Sequence, residues 1–172
     1  MRKKTYFPTM NGKSVLGLTM TQLGWLFGLQ TLTTLAVRPV IGFVSDRVGR
    51  RSVIASGLMV GSGAVLLVSI STSLPGLIAA VMAYAGGVAT TTAATSAFIT
   101  DVTRRSRYGA AHGVFGTIYD VGDALGPIEA GVLVAAVGYA RMFQAMAIVA
   151  LTMAVGFSVA SQGTARDLVA RP

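Results

Sequence analysis

Long apolar stretches separated by short polar segments dominate the pattern of this chain. From Ser52 to Thr100 there is no Asp, Glu, Lys or Arg in 49 consecutive residues. A helix needs about 20 apolar residues to cross the ~30 Å hydrocarbon layer of a bilayer, so this stretch accommodates two crossings. Divided at its charge clusters and turn residues, the chain is predicted to form five membrane-spanning helices, at residues 19–44, 52–71, 76–100, 109–136 and 140–161.

The connections between these spans are predicted to be short. Residues 71–76 combine serine, proline and glycine, and residues 137–139 contain Gly138; both patterns are typical of a break between two helices. Neighbouring spans should therefore run antiparallel. The sequence predicts an all-α polytopic membrane bundle, with an outer segment at residues 1–18, a five-helix bundle at 19–161 and a cytoplasmic tail at 162–172.

The composition supports a membrane protein and excludes several kinds of chemistry. The chain is 53% hydrophobic and only 12% charged, with a mean hydropathy of +0.68, which is well above that of an ordinary soluble domain. It has no cysteine, which excludes disulfides and thiolate metal sites, and its single histidine, His112, leaves no basis for a metal cluster. We therefore expect no metal site, no redox chemistry and no cofactor.

The net charge of +8 indicates membrane topology rather than a nucleic-acid partner. The basic residues occur in short clusters between apolar runs, not on one soluble face. Cytoplasmic loops of membrane proteins are enriched in Lys and Arg. If the turn after the first span is cytoplasmic, the inner segments carry eight basic residues and the outer segments carry five. Four of those five precede the first span, and they argue for the opposite orientation.

One short segment, residues 42–51 with the sequence GFVSDRVGRR, concentrates one acid and three arginines directly after the first span. A carboxylate at a helix end can pair with arginines or with the N-terminus of a neighbouring helix, which contributes about 0.3–2 kcal/mol. Glycines at this place allow close approach and a tight turn. We call this segment the latch motif; its fixed positions are Gly42, Asp46, Arg47, Gly49, Arg50 and Arg51. The alternative is that these charges only set the orientation in the membrane.

The latch motif resembles the Gly-x-x-x-Asp-Arg-x-Gly-Arg-Arg signature that major facilitator superfamily transporters carry after the second helix of each six-helix half. Residues 101–143 are similar to the loop and eleventh helix of the same superfamily, with Gly122, Gly126 and Pro127 as a Gly-x-x-x-Gly-Pro core. The third span has no arginine, and no long charged loop follows the fifth. The spans therefore resemble helices 8 to 12, the C-terminal half of such a transporter.

This resemblance implies a secondary transporter, and not an enzyme, in the inner membrane of a bacterium that moves a small solute by alternating access. It implies that the latch motif braces the inner side in the outward-open state, with Asp46 as its central acid. Residues 1–18 would then be the remnant of an outer loop, so their positive charge would not set the orientation. The implied partners are the lipid bilayer and a small-molecule solute, with a separate N-terminal half as a further candidate. A truncated or split-gene protein without activity alone is the alternative.

The fourth span is predicted to carry the residues closest to transport chemistry. At about 100° per residue, seven of its residues fall within about a quarter of the circumference: Gly109, Gly113, Gly116, Asp120, Asp123, Pro127 and Gly131. Asp120 and Asp123 begin about 16 Å along the helix from Gly109, near the membrane midplane. Two carboxylates one turn apart can share a proton, which makes this pair a candidate proton or substrate site. The alternative is a structural contact with Arg38 or with a companion bundle.

Other residues of the spans suggest packing and cavity positions. Gly109 and Gly113 are spaced for helix packing, and Pro127 is predicted to kink the helix. Possible hydrogen-bonding positions of a cavity lie on one face of the first span and one face of the third: Gln30, Thr34, Tyr84, Thr91 and Thr95. The alternative for the threonines is that their hydroxyls bond to backbone carbonyls. The second span, with Gly57 and Gly61, and the fifth span are predicted to be scaffold facing lipid or each other.

Overall fold

The computed structural model describes residues 19–169, with side chains described through residue 160. Five long helices follow one another, and a short 3-10 turn at Arg105–Arg107 precedes the fourth. The helices are α1 (Met20–Val48), α2 (Arg50–Ile70), α3 (Leu74–Val102), α4 (Tyr108–Val137) and α5 (Tyr139–Val169). No strand occurs in this part of the chain, so the predicted all-α bundle is confirmed.

The helices begin where the sequence supplies capping groups. At the start of α1 the Gln22 backbone N–H donates to Thr19 Oγ1 at 3.3 Å, and the Thr19 N–H donates to Gln22 Oε1 at 2.9 Å. This reciprocal pair satisfies two N–H groups that the helix itself leaves unpaired. Ser73 caps α3 by accepting from the Gly76 N–H, and a proline lies in the first turn, where its missing N–H costs nothing.

Two connections consist of a single glycine. Gly49 joins α1 to α2 with φ of +100°, and Gly138 joins α4 to α5 with φ of +80°. Residues with a Cβ rarely adopt such angles, so glycine permits the chain to reverse in one residue. The first span therefore continues as helix to Val48, beyond its predicted end at residue 44, and most of the latch motif is helical rather than a loop.

The bundle is organised around α2 and α3. These two helices make the most extensive contact, α5 packs on α2, and α1 packs mainly on α3. Many of the buried residues are small, as expected where helices approach closely in a membrane: Ser45, Gly57, Ser62, Ala64, Ala80, Ala85, Gly87, Ala89, Ala94, Ala147 and Ala154. By contrast, α4 has no buried residue and only limited contact with α3 and α5.

The closest helix contact joins Gly57 of α2 to Gly87 of α3. A Cβ added at Gly87 would lie 2.6 Å from the Gly61 backbone nitrogen and 2.9 Å from the Gly57 carbonyl oxygen. A Cβ at Gly57 would lie 2.8 Å from the Thr91 backbone nitrogen. The two backbones therefore touch, and both positions require glycine. The sequence predicted that the second span faces lipid or the fifth span. The structure shows that α2 packs on α5 and, more extensively, on α3.

Four of the five helices are long and apolar enough to cross a membrane, judged by length and composition: α1, α2, α3 and the segment Tyr139–Ala160 of α5. The fourth helix has 30 residues, or about 45 Å of length, which exceeds the hydrocarbon thickness. It carries Asp120, Asp123 and Glu129, and it is not among the four. Its length fits a fifth crossing, whereas its three carboxylates require contact with water or with protein rather than lipid.

Candidate functional site

The Arg50 guanidinium connects the ends of three helices. Its Nε donates to Asp101 Oδ2 at 2.9 Å, one Nη donates to Ser45 Oγ at 2.5 Å, and the other forms an ion pair with Asp46. Ser45 and Asp46 end α1, Arg50 begins α2, and Asp101 ends α3. Arginine suits this place because its donors point in several directions from one plane. We call these four residues the Arg50 network.

Asp101 is a member of this network that the sequence analysis did not assign. It is the first charged residue after the 49-residue uncharged stretch, and antiparallel spans place it at the same end of the bundle as the latch motif. These two facts together could have identified it. The pairing joins residues 51 positions apart, so it depends on the packing of α3 beside the α1–α2 turn.

The other two arginines of the latch motif lie over aromatic rings. The Arg47 guanidinium carbon is 4.1 Å from the centre of the Phe43 ring, and that of Arg51 is 5.7 Å from the centre of the Phe98 ring. Such contacts contribute about 0.5–1 kcal/mol at exposed sites. Gly49 forms the predicted tight turn. Gly42 has no atom within 4 Å of its Cβ position, so the close approach expected there is not made by the described residues.

Replacing Arg50 should weaken the joint between the helix ends without unfolding the bundle. Arg50→Gln leaves the Asp46 and Asp101 carboxylates without their shared cation, and both are more than half exposed. We expect a loss of about 0.5–1 kcal/mol in the free energy of unfolding, which decreases with added salt. Unfolding of the purified protein by SDS titration would measure it. Arg141→Gln at the opposite end is the control, and an equal loss there would contradict the assignment.

The acidic pair on α4 lies on the surface of the chain. Asp120 and Asp123 are both exposed, and neither forms an ion pair with any residue whose side chain the structure describes. The Tyr84 hydroxyl of α3 lies within electrostatic range of the Asp123 carboxylate and of Tyr119.

The polar residues of α1 surround a shallow depression. It has a volume of about 230 Å³ and is lined by Gln30, Thr31, Thr34, Leu35 and Arg38. The hydroxyls of Thr31 and Thr34 donate to the carbonyls of Phe27 and Gln30, each at 3.0 Å. Gln30 and Thr34 thus share a wall, as the sequence predicted, and Arg38 extends it toward the end of α1 that carries Asp46.

The remaining predicted positions divide between packing and surface. Thr91 lies against Gly57 in the α2–α3 interface and donates to the Gly87 carbonyl at 2.9 Å, so it contacts a helix rather than a cavity. Thr95 is half-buried on the same helix. His112 Nε2 lies 3.0 Å from Thr100 Oγ1, which joins the start of α4 to the end of α3.

The glycines predicted to pack on α4 have no neighbour from another helix. Among the described residues, no such atom lies within 4 Å of a Cβ position at Gly109, Gly113, Gly122 or Gly126. Pro127 lies inside α4, which continues without interruption to Val137. Among the glycines that the structure describes, the close contact between helices is at Gly57 and Gly87, because α2 and α3 are central whereas α4 is peripheral.

Comparison with known families agrees with this arrangement of helices and motif. Residues 4–168 match the model of the Major Facilitator Superfamily. The chain belongs to this superfamily. Its members are membrane transporters rather than enzymes, and the resemblance drawn from the latch motif is confirmed.

Two curated relatives within the superfamily align with most of the chain. One is the inner membrane transport protein YajR of Escherichia coli (strain K12), 26% identical over 145 residues, or 84% of this chain and 31% of the relative. The other is the uncharacterized MFS-type transporter MJ1560 of Methanocaldococcus jannaschii, 25% identical over 138 residues, or 80% of this chain and 36% of the relative. The chain thus spans about a third of the length of the relatives it matches.

Proposed function

We propose that this chain is the C-terminal part, helices 8 to 12, of a secondary transporter that moves a small solute across a bacterial inner membrane by alternating access. Membership in the superfamily supports transport, and the name of the Escherichia coli relative supports the inner membrane. In this proposal residues 1–18 are the remainder of an outer loop and residues 162–172 a cytoplasmic tail. The five helices then form most of one bundle of a two-bundle protein.

The observation that carries this proposal is the exposed acidic face of α4. Asp120 and Asp123 lie on a helix without any buried residue. A carboxylate facing lipid at the middle of a helix costs about 2.5–3.5 kcal/mol on insertion scales, so such residues face water or protein. A companion bundle with an aqueous pathway between the two bundles supplies that environment. We propose that Asp120 or Asp123 carries the coupling proton or binds the solute there.

The Arg50 network gives the proposed transporter a means of holding one state. It ties the ends of α1, α2 and α3 at the side that this proposal places in the cytoplasm. Each ion pair is partly exposed and therefore contributes at most about 1 kcal/mol, which is small enough for the joint to open during a transport cycle. The network is thus suited to bias an equilibrium between two states rather than to lock one of them.

A second candidate is a membrane protein that does not transport alone and acts only by association with a separate N-terminal half. The exposed helix α4, which has no buried residue, favours it, because such a helix is suited to association with another bundle. Both candidates need a second bundle; they differ in whether that bundle belongs to the same protein chain or to a separate one.

Reconstitution into liposomes tests the need for a companion bundle that both candidates share. The chain alone and the chain co-expressed with an N-terminal bundle would be tested against a solute panel, with a pH-sensitive dye reporting proton movement. We expect flux only when both bundles are present, together with co-purification of the two. Flux from the chain alone would contradict the need for a companion. Failure of both bundles to associate or to transport any solute would contradict the proposed function.

A further inference from the structure

The depression on α1 is separate from the Arg50 network and from the acidic pair. Its five lining residues all lie on α1. Helix α4, which carries Asp120 and Asp123, makes no contact with α1 within the part of the chain that the structure describes. A ligand held here would therefore be distinct from a proton held on α4.

The hydrogen-bond donors that face this depression are few and widely spaced. The hydroxyl protons of Thr31 and Thr34 are used by backbone carbonyls of α1 itself. The donors that remain are the Gln30 amide and the Arg38 guanidinium. These residues are eight positions apart, or about 12 Å along the helix axis. The threonine methyl groups and the Leu35 side chain lie in the interval.

The charge of Arg38 has no counterpart among the described residues. Arg38 forms no ion pair with them, and the two acids nearest in sequence, Asp46 and Asp101, are paired with Arg50. A guanidinium in a membrane-spanning helix is costly unless it meets water or an anion. Gln30 and Arg38 thus offer one amide and one unpaired cation to whatever occupies the depression.

We propose that the depression is the α1 half of a binding site for an elongated organic anion. Its carboxylate binds the Arg38 guanidinium in a bidentate manner, its apolar body lies over Leu35 and the threonine methyl groups, and a polar group at its other end contacts Gln30. The inference rests on the proposed transport function, since the companion bundle would supply the opposite wall, and it narrows the solute to a carboxylate.

A single-cysteine variant tests the charge of this site directly. The chain has no cysteine, so Thr34→Cys introduces one thiol into the depression. Its rates of modification by an anionic and a cationic methanethiosulfonate reagent would be compared in phosphatidylcholine nanodiscs. Adding Arg38→Gln should lower the anionic-to-cationic rate ratio about tenfold, as expected for a charge about 6 Å away in water. Arg38→Lys should retain the ratio, and Arg141→Gln, at the other end of the bundle, should leave it unchanged.

Protection of the same thiol tests the ligand class. We expect 4-phenylbutyrate to slow modification of Thr34→Cys, and the neutral isostere 4-phenylbutyramide to have no effect. Arg38→Lys should lose this protection, because a lysine ammonium cannot bind a carboxylate in a bidentate manner. Thr31→Cys provides a second reporter if Thr34→Cys does not fold. An unchanged rate ratio in Arg38→Gln, or equal protection by the amide, would overturn the proposal.

Two further comparisons identify the ligand and separate this site from the transport function. Nanodiscs containing phosphatidylglycerol distinguish a lipid headgroup from a soluble anion, and protection by that lipid but not by 4-phenylbutyrate would overturn the proposal. Modification and protection require no transport. If the liposomes show no flux but 4-phenylbutyrate protects the thiol, the transport function is wrong and the anion site stands. If the liposomes show flux but the thiol is not protected, transport stands and the anion site is wrong.

Discussion

Gly87→Ala should destabilise the bundle by about 1–3 kcal/mol, the usual cost of overpacking a close contact. The added Cβ would lie 2.6 Å from the Gly61 nitrogen, 2.8 Å from the Gly61 Cα and 2.9 Å from the Gly57 oxygen. All three are backbone atoms, so a side-chain rotation cannot relieve the clash and α2 must move away from α3. Unfolding of the purified protein by SDS titration, followed by circular dichroism, would measure the loss.

Gly86→Ala is the matched control for this prediction. Gly86 precedes Gly87 on the same helix, and nothing lies within 4 Å of its Cβ position. Both variants gain similar helix propensity from alanine, so the difference between them isolates the interhelical contact. We expect Gly86→Ala to equal or exceed the stability of the unmodified protein. Equal stability of the two variants would show that α2 and α3 do not pack through Gly87.

Asp120→Asn and Asp123→Asn should reduce proton-coupled solute transport when the chain is reconstituted together with its companion bundle. An asparagine is nearly isosteric with an aspartate but cannot bind and release a proton. At least one of the two variants should lower driven uptake about tenfold or more, equivalent to about 1.4 kcal/mol in the barrier, and should lose its dependence on pH. Dye-detected proton flux and solute uptake, measured at several external pH values, would report both effects.

Glu129→Gln on the same helix is the control for the acidic pair. Glu129 is also exposed on α4, but it lies nearer the end of the helix at Val137 and on the opposite side of the helix. We expect uptake and its pH dependence to be retained in this variant. If both aspartate variants still transported with unchanged pH coupling, the acidic pair would have no role in proton movement, and its contribution would be limited to contacts with the companion bundle.

Much of the secondary structure followed from local patterns. Apolar runs of the right length predicted the helices, and the glycine and proline positions predicted breaks at residues 71–76 and 137–139; the observed breaks are shorter, at residues 71–73 and at Gly138. The predicted end of α1, at residue 44, is four residues too early, because the charged residues that follow resemble a loop. Charged side chains at a helix end are compatible with helical backbone, and α1 ends only where Gly49 takes a positive φ.

The candidate site was predictable in its residue types but not in its pairings. The latch motif indicated Arg50 and Asp46, whereas the bond from Arg50 to Asp101 required α3 to end beside the α1–α2 turn. Likewise, glycine spacing suggested a contact at Gly109 and Gly113 as readily as one at Gly57. Spacing shows that a helix has a small face; it does not show which neighbour covers that face.

By itself the sequence determined that this protein is a helical membrane protein, approximately where each helix begins, and which side chains carry charge. These properties depend on hydrophobic length and on residues a few positions apart, which a local pattern contains. Only the tertiary structure decided that α2 and α3 meet at Gly57 and Gly87, that one arginine joins three helix ends, and that α4 remains at the edge with its acids exposed. Those outcomes depend on how each helix is rotated and which helix lies beside it, and both are set by packing between residues distant in the chain.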